Sequence, residues 1–405
     1  MSIICSKSKI AFWCGFIGIT IYALSLSFPV KLIFSLVILC LSGIIVGLFN
    51  TDKQFSIYHP IVIFVLIFIF SLAISHIISA DKTLSFHLSL IFFPALLIFF
   101  LIIELLNTDN IFWLYILFTI ICFIISTYSI IIAISNLDAN PAIWIKKMAN
   151  PSILVPNDLI ILTILLPFSF FYSMKSDNVI FKAISILTIF LSIITICVYQ
   201  SRLGMLLIFI NILLFCIIFY PRYLIIITFS MFLSFIFFDW LQNFSIISKC
   251  KTIGWLSRIP LWITAYAMFV DAPFLGQGPR TFGVQYFEYL DRINFPDWFI
   301  IDKRFTPWAH NIYLEVLAEQ GLFGFTAFSF IIIYALYLAI KLIRSKQDGF
   351  FLLSFAPFTS FIIILIAGFF ELSFIRHWFV IIFFMLLAII HVLSFNNKIY
   401  KRRRL

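Results

Sequence analysis

The sequence predicts an all-α polytopic membrane protein with about 12 transmembrane helices and one large helical loop on the extracytoplasmic side. The chain has 405 residues, of which 63% are hydrophobic and only 11% are charged. So few charged residues cannot cover the surface of a soluble globular protein. Apolar runs of roughly 20 residues, the length that crosses about 30 Å of hydrocarbon, recur from near residue 10 almost to the end.

Twelve apolar runs qualify as membrane spans. The first follows the basic segment Ser6–Lys9 but lacks a small-residue cleavage site, so we expect it to be retained as a helix rather than removed as a signal peptide. The predicted spans lie near 10–28, 31–49, 60–79, 85–106, 111–134, 158–174, 179–199, 203–220, 224–240, 322–343, 350–369 and 374–394.

The distribution of Lys and Arg over the short loops predicts that both termini are cytoplasmic, because cytoplasmic loops carry an excess of these residues. With this orientation, fourteen lie on the cytoplasmic side: Lys7, Lys9, Lys53, Lys175, Lys182, Arg222, Lys341, Arg344, Lys346, Lys398, Lys401, Arg402, Arg403 and Arg404. Six lie in short loops on the opposite side: Lys31, Lys82, Lys146, Lys147, Arg202 and Arg376. The net charge of +10 therefore indicates anionic membrane lipids as partners, and the terminal basic block is a topology anchor rather than a nucleic-acid site.

The long connection before His310 divides the chain into three parts. We expect transmembrane helices 1–9 in residues 1–240, a loop with short helices in 241–310, and a further helix, helices 10–12 and a basic cytoplasmic tail in 311–405. A loop of this length is usually functional.

Local signals predict three helices around this loop. Ser257-Arg258-Ile259-Pro260 opens the first, which Asp271-Ala272-Pro273 ends. The turn Gly276-Gln277-Gly278-Pro279 precedes a second helix that runs through about Leu290. A third helix covers Asn311–Gln320, and Gly321 supplies its C-terminal stop.

Two arginines on the extracytoplasmic side are candidates for binding an anion. Arg202 begins a span, so its guanidinium and the free N–H groups of the helix face the same spot. Arg258 begins a loop helix near the membrane interface. For each, the alternative is an arginine that merely extends its charge to the interface. Two guanidiniums that converge would suit a diphosphate, whose several oxygens accept bidentate hydrogen bonds.

His310 is the candidate proton acceptor. It precedes the helix that begins at Asn311, and the positive end of a helix dipole disfavours the imidazolium form. A structural role is the alternative. Glu371 and Arg376 flank the last extracytoplasmic turn and could pair with each other or reach the site. No paired acidic motif or phosphate-binding Gly-rich loop occurs, so we expect no metal and no cofactor.

Four motifs in this region resemble those of the O-antigen ligases, together with the related O-antigen polymerases and protein O-oligosaccharyltransferases. The resemblance covers roughly residues 155–345, and the first five spans match only in hydrophobicity. The motifs are Gln200-Ser201-Arg202, Arg258 to Trp262, Pro273-Phe274-Leu275-Gly276-Gln277-Gly278, and Trp308-Ala309-His310-Asn311-Ile312-Tyr313-Leu314-Glu315 followed by Gly321-Leu322-Phe323-Gly324.

The resemblance implies a metal-independent, inverting glycosyltransferase of the GT-C type that uses an undecaprenyl diphosphate-linked glycan as donor. It implies that Arg202 and Arg258 bind the diphosphate and that His310 activates or orients the acceptor hydroxyl. Arg280 and Arg304 are further candidates, as positively charged side chains that could bind phosphate groups of donor or acceptor. The other candidate accessory residues are Asn311, Tyr313 and Glu315.

Within the family we expect an O-antigen ligase, which transfers O-polysaccharide to a lipid A-core sugar, because about 400 residues with one large loop fit it. The alternative is an O-antigen polymerase, which uses a second undecaprenyl-linked repeat as acceptor. The chain ends at Leu405 soon after the last span, which disfavours a protein O-oligosaccharyltransferase. From a different class, a lipid or polysaccharide transporter would also explain the spans. The expected location is the inner membrane of a Gram-negative cell, with the site facing the periplasm.

Overall fold

Regular structure in this protein is helical throughout the part of the chain that its computed structural model describes. That part comprises residues 2–27, 32–50, 59–148, 150, 153–226, 228–230, 233, 236, 258–296, 299, 301, 306–345 and 350–404. A bilayer favours this architecture because an α-helix satisfies its backbone hydrogen bonds internally. Within these ranges the helices are α1 Ser2–Leu24, α2 Leu32–Phe49, α3 Pro60–Ile77, α4 Lys82–Leu105, α5 Phe112–Ile134, α6 Pro141–Met148, α7 Ile160–Lys175, α8 Val179–Val198, α9 Arg202–Phe219, α10 Ile259–Asp271, α11 Phe282–Arg292, α12 Ile312–Ile343, α13 Phe350–Gly368 and α14 His377–Arg404.

Ten candidate membrane spans occur among the described residues, which confirms an all-α polytopic membrane protein. The predicted span at 10–28 falls on α1, whose apolar part Lys9–Leu24 is shorter than a full span. The predicted span at 224–240 lies largely outside the described residues. The count of about twelve therefore stays a prediction.

Helix α14 forms the centre of the bundle. In its segment His377–Phe395, 94% of the residues are buried, although the mean hydropathy is close to that of α2, in which only 22% are buried. It packs against α4, α12 and α13. The ring of Phe383 contacts Phe374 and Phe361 on two neighbouring segments. An apolar helix this deeply enclosed fixes the positions of the helices around it.

Three helices begin at the same end of the bundle, and side-chain caps set the start of two of them. Ser201 Oγ accepts a hydrogen bond from Gly204 N, so α9 starts at Arg202. Asn311 Oδ1 accepts from Tyr313 N and Leu314 N, so α12 starts directly after His310 and Asn311. Arg258 is the N-cap of α10, with proline in the first turn. Since capping satisfies otherwise unpaired N–H groups, these helix starts are well defined. We call the end of the bundle that carries them the site face.

The three helices predicted around the long loop are confirmed as α10, α11 and the first part of α12. The predicted helix stop at Gly321 is confirmed. Gly321 has the non-helical values φ 61° and ψ −164°, so the helical segment that begins at Ile312 ends there and a second segment runs from Leu322 to Ile343, with a kink between them. The glycine is therefore a kink between a short segment at the site face and a membrane-crossing segment.

The kink brings α12 against the turn that follows α10. Leu322 N donates to Pro273 O at 2.8 Å, and Phe323 N donates to Phe274 O at 3.1 Å. A Cβ atom at position 321 would lie 2.4 Å from the carbonyl carbon of Phe274. Both the positive φ and this close approach require glycine.

We expect Gly321→Ala to destabilise the protein. Its backbone conformation is almost exclusive to glycine and costs other residues about 1–3 kcal/mol, before the clash with Phe274 is counted. The measurement is the midpoint of heat-induced aggregation in detergent. Gly47→Ala in α2 is the control, since nothing lies within 4 Å of its added Cβ. Equal midpoints for the two variants would contradict the expectation.

Candidate active site

Arg202 lies at the site face as the first residue of α9, with its side chain exposed. Gln200, two residues before Arg202, has φ 53°, a left-handed conformation that forms the sharp turn between α8 and α9. The charge of Arg202 lowers the pKa of Arg258, so the two guanidiniums are close enough to interact. The two predicted anion-binding arginines therefore lie near each other at the site face.

Arg258 is held by the segment that follows α13. Its Nη1 donates to Phe370 O, and its Nη2 lies 3.1 Å from Glu371 Oε2. About 22% of the side chain is exposed. The guanidinium is thus fixed in orientation while part of it remains accessible.

His310 lies beside the same carboxylate. Its Nδ1 is 3.2 Å from Glu371 Oε2, and its backbone has φ 52°. The indole Nε1–H of Trp308 also points at Nδ1, at 3.1 Å. The predicted proton acceptor and one predicted diphosphate ligand are therefore joined through one oxygen atom of Glu371.

Glu371 is the centre of the site, and only 1% of its side chain is exposed. Its Oε2 also accepts a hydrogen bond from Asn157 Nδ2 at 3.0 Å. Its Oε1 accepts from Arg376 Nη2 at 2.6 Å. A carboxylate this deeply buried is stable only when opposite charges and hydrogen bonds compensate it, as they do here.

Arg376 links the carboxylate to the start of α7. Its Nη1 is paired with Asp158 Oδ1, and its guanidinium lies 4.6 Å from the ring centroid of Trp308. Asp158 in turn accepts hydrogen bonds from Leu154 N, Val155 N and Trp378 Nε1. Burial lowers the pKa of Arg376 to about 9, which leaves it charged near neutrality.

Burial and two neighbouring charges act on Arg258. Burial lowers the pKa of Arg258 most, the charge of Glu371 opposes this effect, and the smaller effect of the charge of Arg202 adds to it. Burial and a like charge disfavour a charged guanidinium, whereas a carboxylate favours it. Glu371 therefore stabilises the charged form of Arg258.

The geometry at His310 favours one tautomer. Trp308 Nε1 can only donate, and an ionised Glu371 can only accept, so Nδ1 cannot satisfy both partners. The hydrogen bond to a carboxylate is charge-assisted and therefore the stronger. We infer that Nδ1 carries the proton and donates to Glu371, which leaves the lone pair of Nε2 able to accept a proton.

Four of the five accessory candidates make hydrogen bonds within the protein. The fifth, Arg304, lies outside the described residues. Asn311 caps α12, and Tyr313 donates from its hydroxyl to Leu365 O at 2.8 Å. Glu315 is buried and accepts from Ser373 Oγ at 2.6 Å. Arg280, with φ 63°, donates from its backbone to Glu319 Oε2 at 2.7 Å. These contacts support the loop and α12 beside His310.

Sequence reasoning left the role of Glu371 and Arg376 open, and did not single out Asp158 or Asn157. The structure shows that Glu371 and Arg376 pair with each other and also reach the site. A usable signal was present, since ionisable residues at the ends of membrane spans are rare and generally have a specific partner.

The fold and the site define a class of protein. It is a multi-pass membrane protein that carries two arginines and a histidine at one end of its helical bundle. Residues 187–329, about a third of the chain, match the family model described as O-Antigen ligase. This match supports the resemblance to the O-antigen ligases that the sequence motifs indicate. The family implies a glycosyltransferase-like activity in general, with polysaccharide or lipid substrates. No curated protein matches the chain.

The matched segment contains Arg202, Arg258 and His310. It does not contain Asp158, which lies before α7, or Glu371 and Arg376, which lie in the turn between α13 and α14. The site is therefore assembled from the family segment and from two flanking parts of the chain.

Proposed function

We propose that this protein is an O-antigen ligase that transfers O-polysaccharide from undecaprenyl diphosphate to a hydroxyl of a lipid A-core sugar. One observation carries the proposal: Arg258 Nη2 and His310 Nδ1 both lie within 3.2 Å of Glu371 Oε2, with the charge of Arg202 nearby. A cationic pair and a potential base are thus held side by side. These are the groups that transfer from a diphosphate leaving group requires.

The arginines would bind the donor diphosphate. A guanidinium has five N–H donors, and the contacts of Arg258 with Phe370 and Glu371 use Nη1 and Nη2 once each. Donors therefore remain for phosphate oxygens. Arg202 adds a second guanidinium at the N-terminus of α9, where the helix dipole also favours negative charge.

His310 would act as general base in a direct displacement. The acceptor hydroxyl oxygen bonds to the anomeric carbon as the bond from that carbon to the diphosphate oxygen breaks, which inverts the configuration. The hydroxyl proton passes to Nε2 of His310. Negative charge develops on the leaving undecaprenyl diphosphate, where Arg202 and Arg258 stabilise it. No metal takes part in these steps.

The proposed setting is the inner membrane of a Gram-negative cell, with the site face toward the periplasm. The excess of Lys and Arg in the loops of the other side supports this orientation. Donor and acceptor are both lipid-linked in this proposal, so both would reach the site laterally from the membrane. The alternative is an O-antigen polymerase, which would bind the same donor diphosphate but a different acceptor.

We expect Arg202→Ala and Arg258→Ala each to lower the rate of glycan transfer. Each lost charge-assisted hydrogen bond costs about 1.5–3 kcal/mol, roughly 10- to 150-fold in rate. Lysine should rescue poorly, because it lacks the bidentate geometry of the guanidinium. The assay uses purified protein, undecaprenyl diphosphate-linked donor and EDTA, which should have no effect.

Arg292→Ala is the matched control for these variants. Arg292 is an exposed arginine on α11 that pairs with Asp271 and Glu288 away from the site, and exposed pairs contribute little to stability. A wild-type rate for Arg202→Ala, or a requirement for Mg²⁺ or Mn²⁺, would contradict the proposed diphosphate site.

His310→Ala should lower the transfer rate by about 10²- to 10⁴-fold if His310 is the general base. Glutamine can accept a hydrogen bond but cannot take up the proton, so His310→Gln separates the two roles. If His310 is the base, both variants are impaired. Substantial activity of His310→Gln would make His310 a group that orients the acceptor, and full activity of both variants would leave it structural.

Deletion of the gene distinguishes ligase from polymerase, because the two enzymes act at different steps. We expect lipopolysaccharide that ends at bare core, with full-length polymer accumulating on undecaprenyl diphosphate. The measurement is gel analysis of lipopolysaccharide together with extraction of lipid-linked glycan. Core that carries a single repeat, with no long polymer, would instead identify a polymerase.

A further inference from the structure

Helix α10 and the turn after it expose a line of large apolar side chains. Tyr266, Val270 and Phe274 are 56%, 55% and 74% exposed, and they are spaced four residues apart, so they follow one side of the helix and continue into the turn. The opposite side of α10, with Leu261, Ala265 and Met268, is buried. We call the three exposed residues the apolar strip.

The turn that ends the apolar strip lies beside the last turn of a membrane span. Ser75 Oγ donates to Leu275 O at 2.8 Å, and Ser75 is two residues before the end of α3. The exposed residues Ile77 and Ile78 follow Ser75 along the chain, farther toward the site face. The turn therefore lies no farther out than the apolar end of α3.

The length of the second part of α12 also places the turn after α10 near the boundary of the hydrocarbon. Leu322–Ile343 would be about 33 Å long at 1.5 Å per residue, close to the thickness of the hydrocarbon core. Leu322 and Phe323 are thus near the boundary of the hydrocarbon, and their N–H groups bond to the carbonyls of Pro273 and Phe274.

Two glycines fix the turn at this depth. A Cβ atom on Gly276 would lie 2.3 Å from the carbonyl carbon of Glu319, and one on Gly321 would lie 2.4 Å from that of Phe274. Both glycines have positive φ. Backbone therefore packs directly on backbone, and the turn is held against α12 as a rigid unit.

The apolar strip is continuous with the lipid-facing surface of the spans. Phe323, next to Phe274, contacts the ring of Phe70 on α3, with the ring centroids 6.5 Å apart. Phe70 is 60% exposed in the middle of a span, where the surroundings are acyl chains. The same apolar surface thus runs from α3 across α12 to the strip.

We propose that the apolar strip is embedded in the membrane leaflet at the site face, with lipid acyl chains as its partner. One side of α10 is then anchored by lipid, while Arg258 at its N-terminus reaches Glu371. The proposal does not depend on the proposed ligase activity, since it concerns only what surrounds the strip.

The test attaches a nitroxide spin label at Val270→Cys or at Phe274→Cys and measures how accessible the label is to two paramagnetic relaxing agents. The full-length protein carries serine in place of its native cysteines and is reconstituted in vesicles of phosphatidylethanolamine and phosphatidylglycerol. Oxygen, which partitions into lipid, and a water-soluble nickel chelate serve as the two relaxing agents. Phe70→Cys reports the lipid, and Glu288→Cys, on α11 and 60% exposed, is the control for water.

We expect oxygen to dominate at 270, 274 and 70, and the nickel chelate to dominate at 288, which gives a positive depth parameter at the strip and a negative one at the control. Dominance of the nickel chelate at 270 and 274 would overturn the proposal. Exclusion of both agents there would overturn it in favour of a protein partner. Benzoylphenylalanine at 274, with all native cysteines kept, provides a second measurement: it should crosslink to phospholipid, and a lack of lipid adducts would count against the strip.

Discussion

The site depends on the burial of one carboxylate, that of Glu371. A charge removed from water must be compensated locally, and here the compensation comes from four separate segments through Asn157, Arg258, His310 and Arg376. Each of these segments lies at the end or the start of a helix. The contacts that compensate the charge of Glu371 therefore also fix the relative positions of these helix ends at the site face. Removal of any partner would leave an uncompensated charge and would disturb the others.

The same low-polarity surroundings that demand compensation for Glu371 make the arginines responsive to a ligand. Arg376 is paired with two carboxylates, so its charge is committed to the structure. Arg258 shares Glu371 and faces the charge of Arg202. Arg258 and Arg202 are therefore the arginines on the accessible side, where the proposed diphosphate would bind. The carboxylate of Glu371 thus lies between Arg376, which is paired within the structure, and Arg258, which is proposed to bind the ligand.

The sequence predicted the parts of this arrangement that local chemistry determines. Apolar runs predicted the spans, including the one that begins beside Arg202, local signals predicted the helix that follows His310, and Gly321 predicted the break within α12. It could not predict the links through Glu371, because this residue lies 113 positions from Arg258 and 61 from His310, in a short turn without a motif. Conversely, Tyr313 and Glu315 lie beside His310 in sequence but contact the supporting helices. Proximity along a helix does not decide which side chains reach the same site.

The assembly of the site from matched and unmatched segments limits how proteins of this family can exchange parts. A recombination event that replaced residues 187–329 alone would import both arginines and the histidine, but would keep the recipient's Asp158, Glu371 and Arg376. The imported guanidinium and imidazole would then have to meet a foreign carboxylate at hydrogen-bonding distance. A chimaera that keeps these contacts therefore needs one breakpoint before Asp158 and another after Arg376, so that the exchanged segment is longer than the segment that matches the family model.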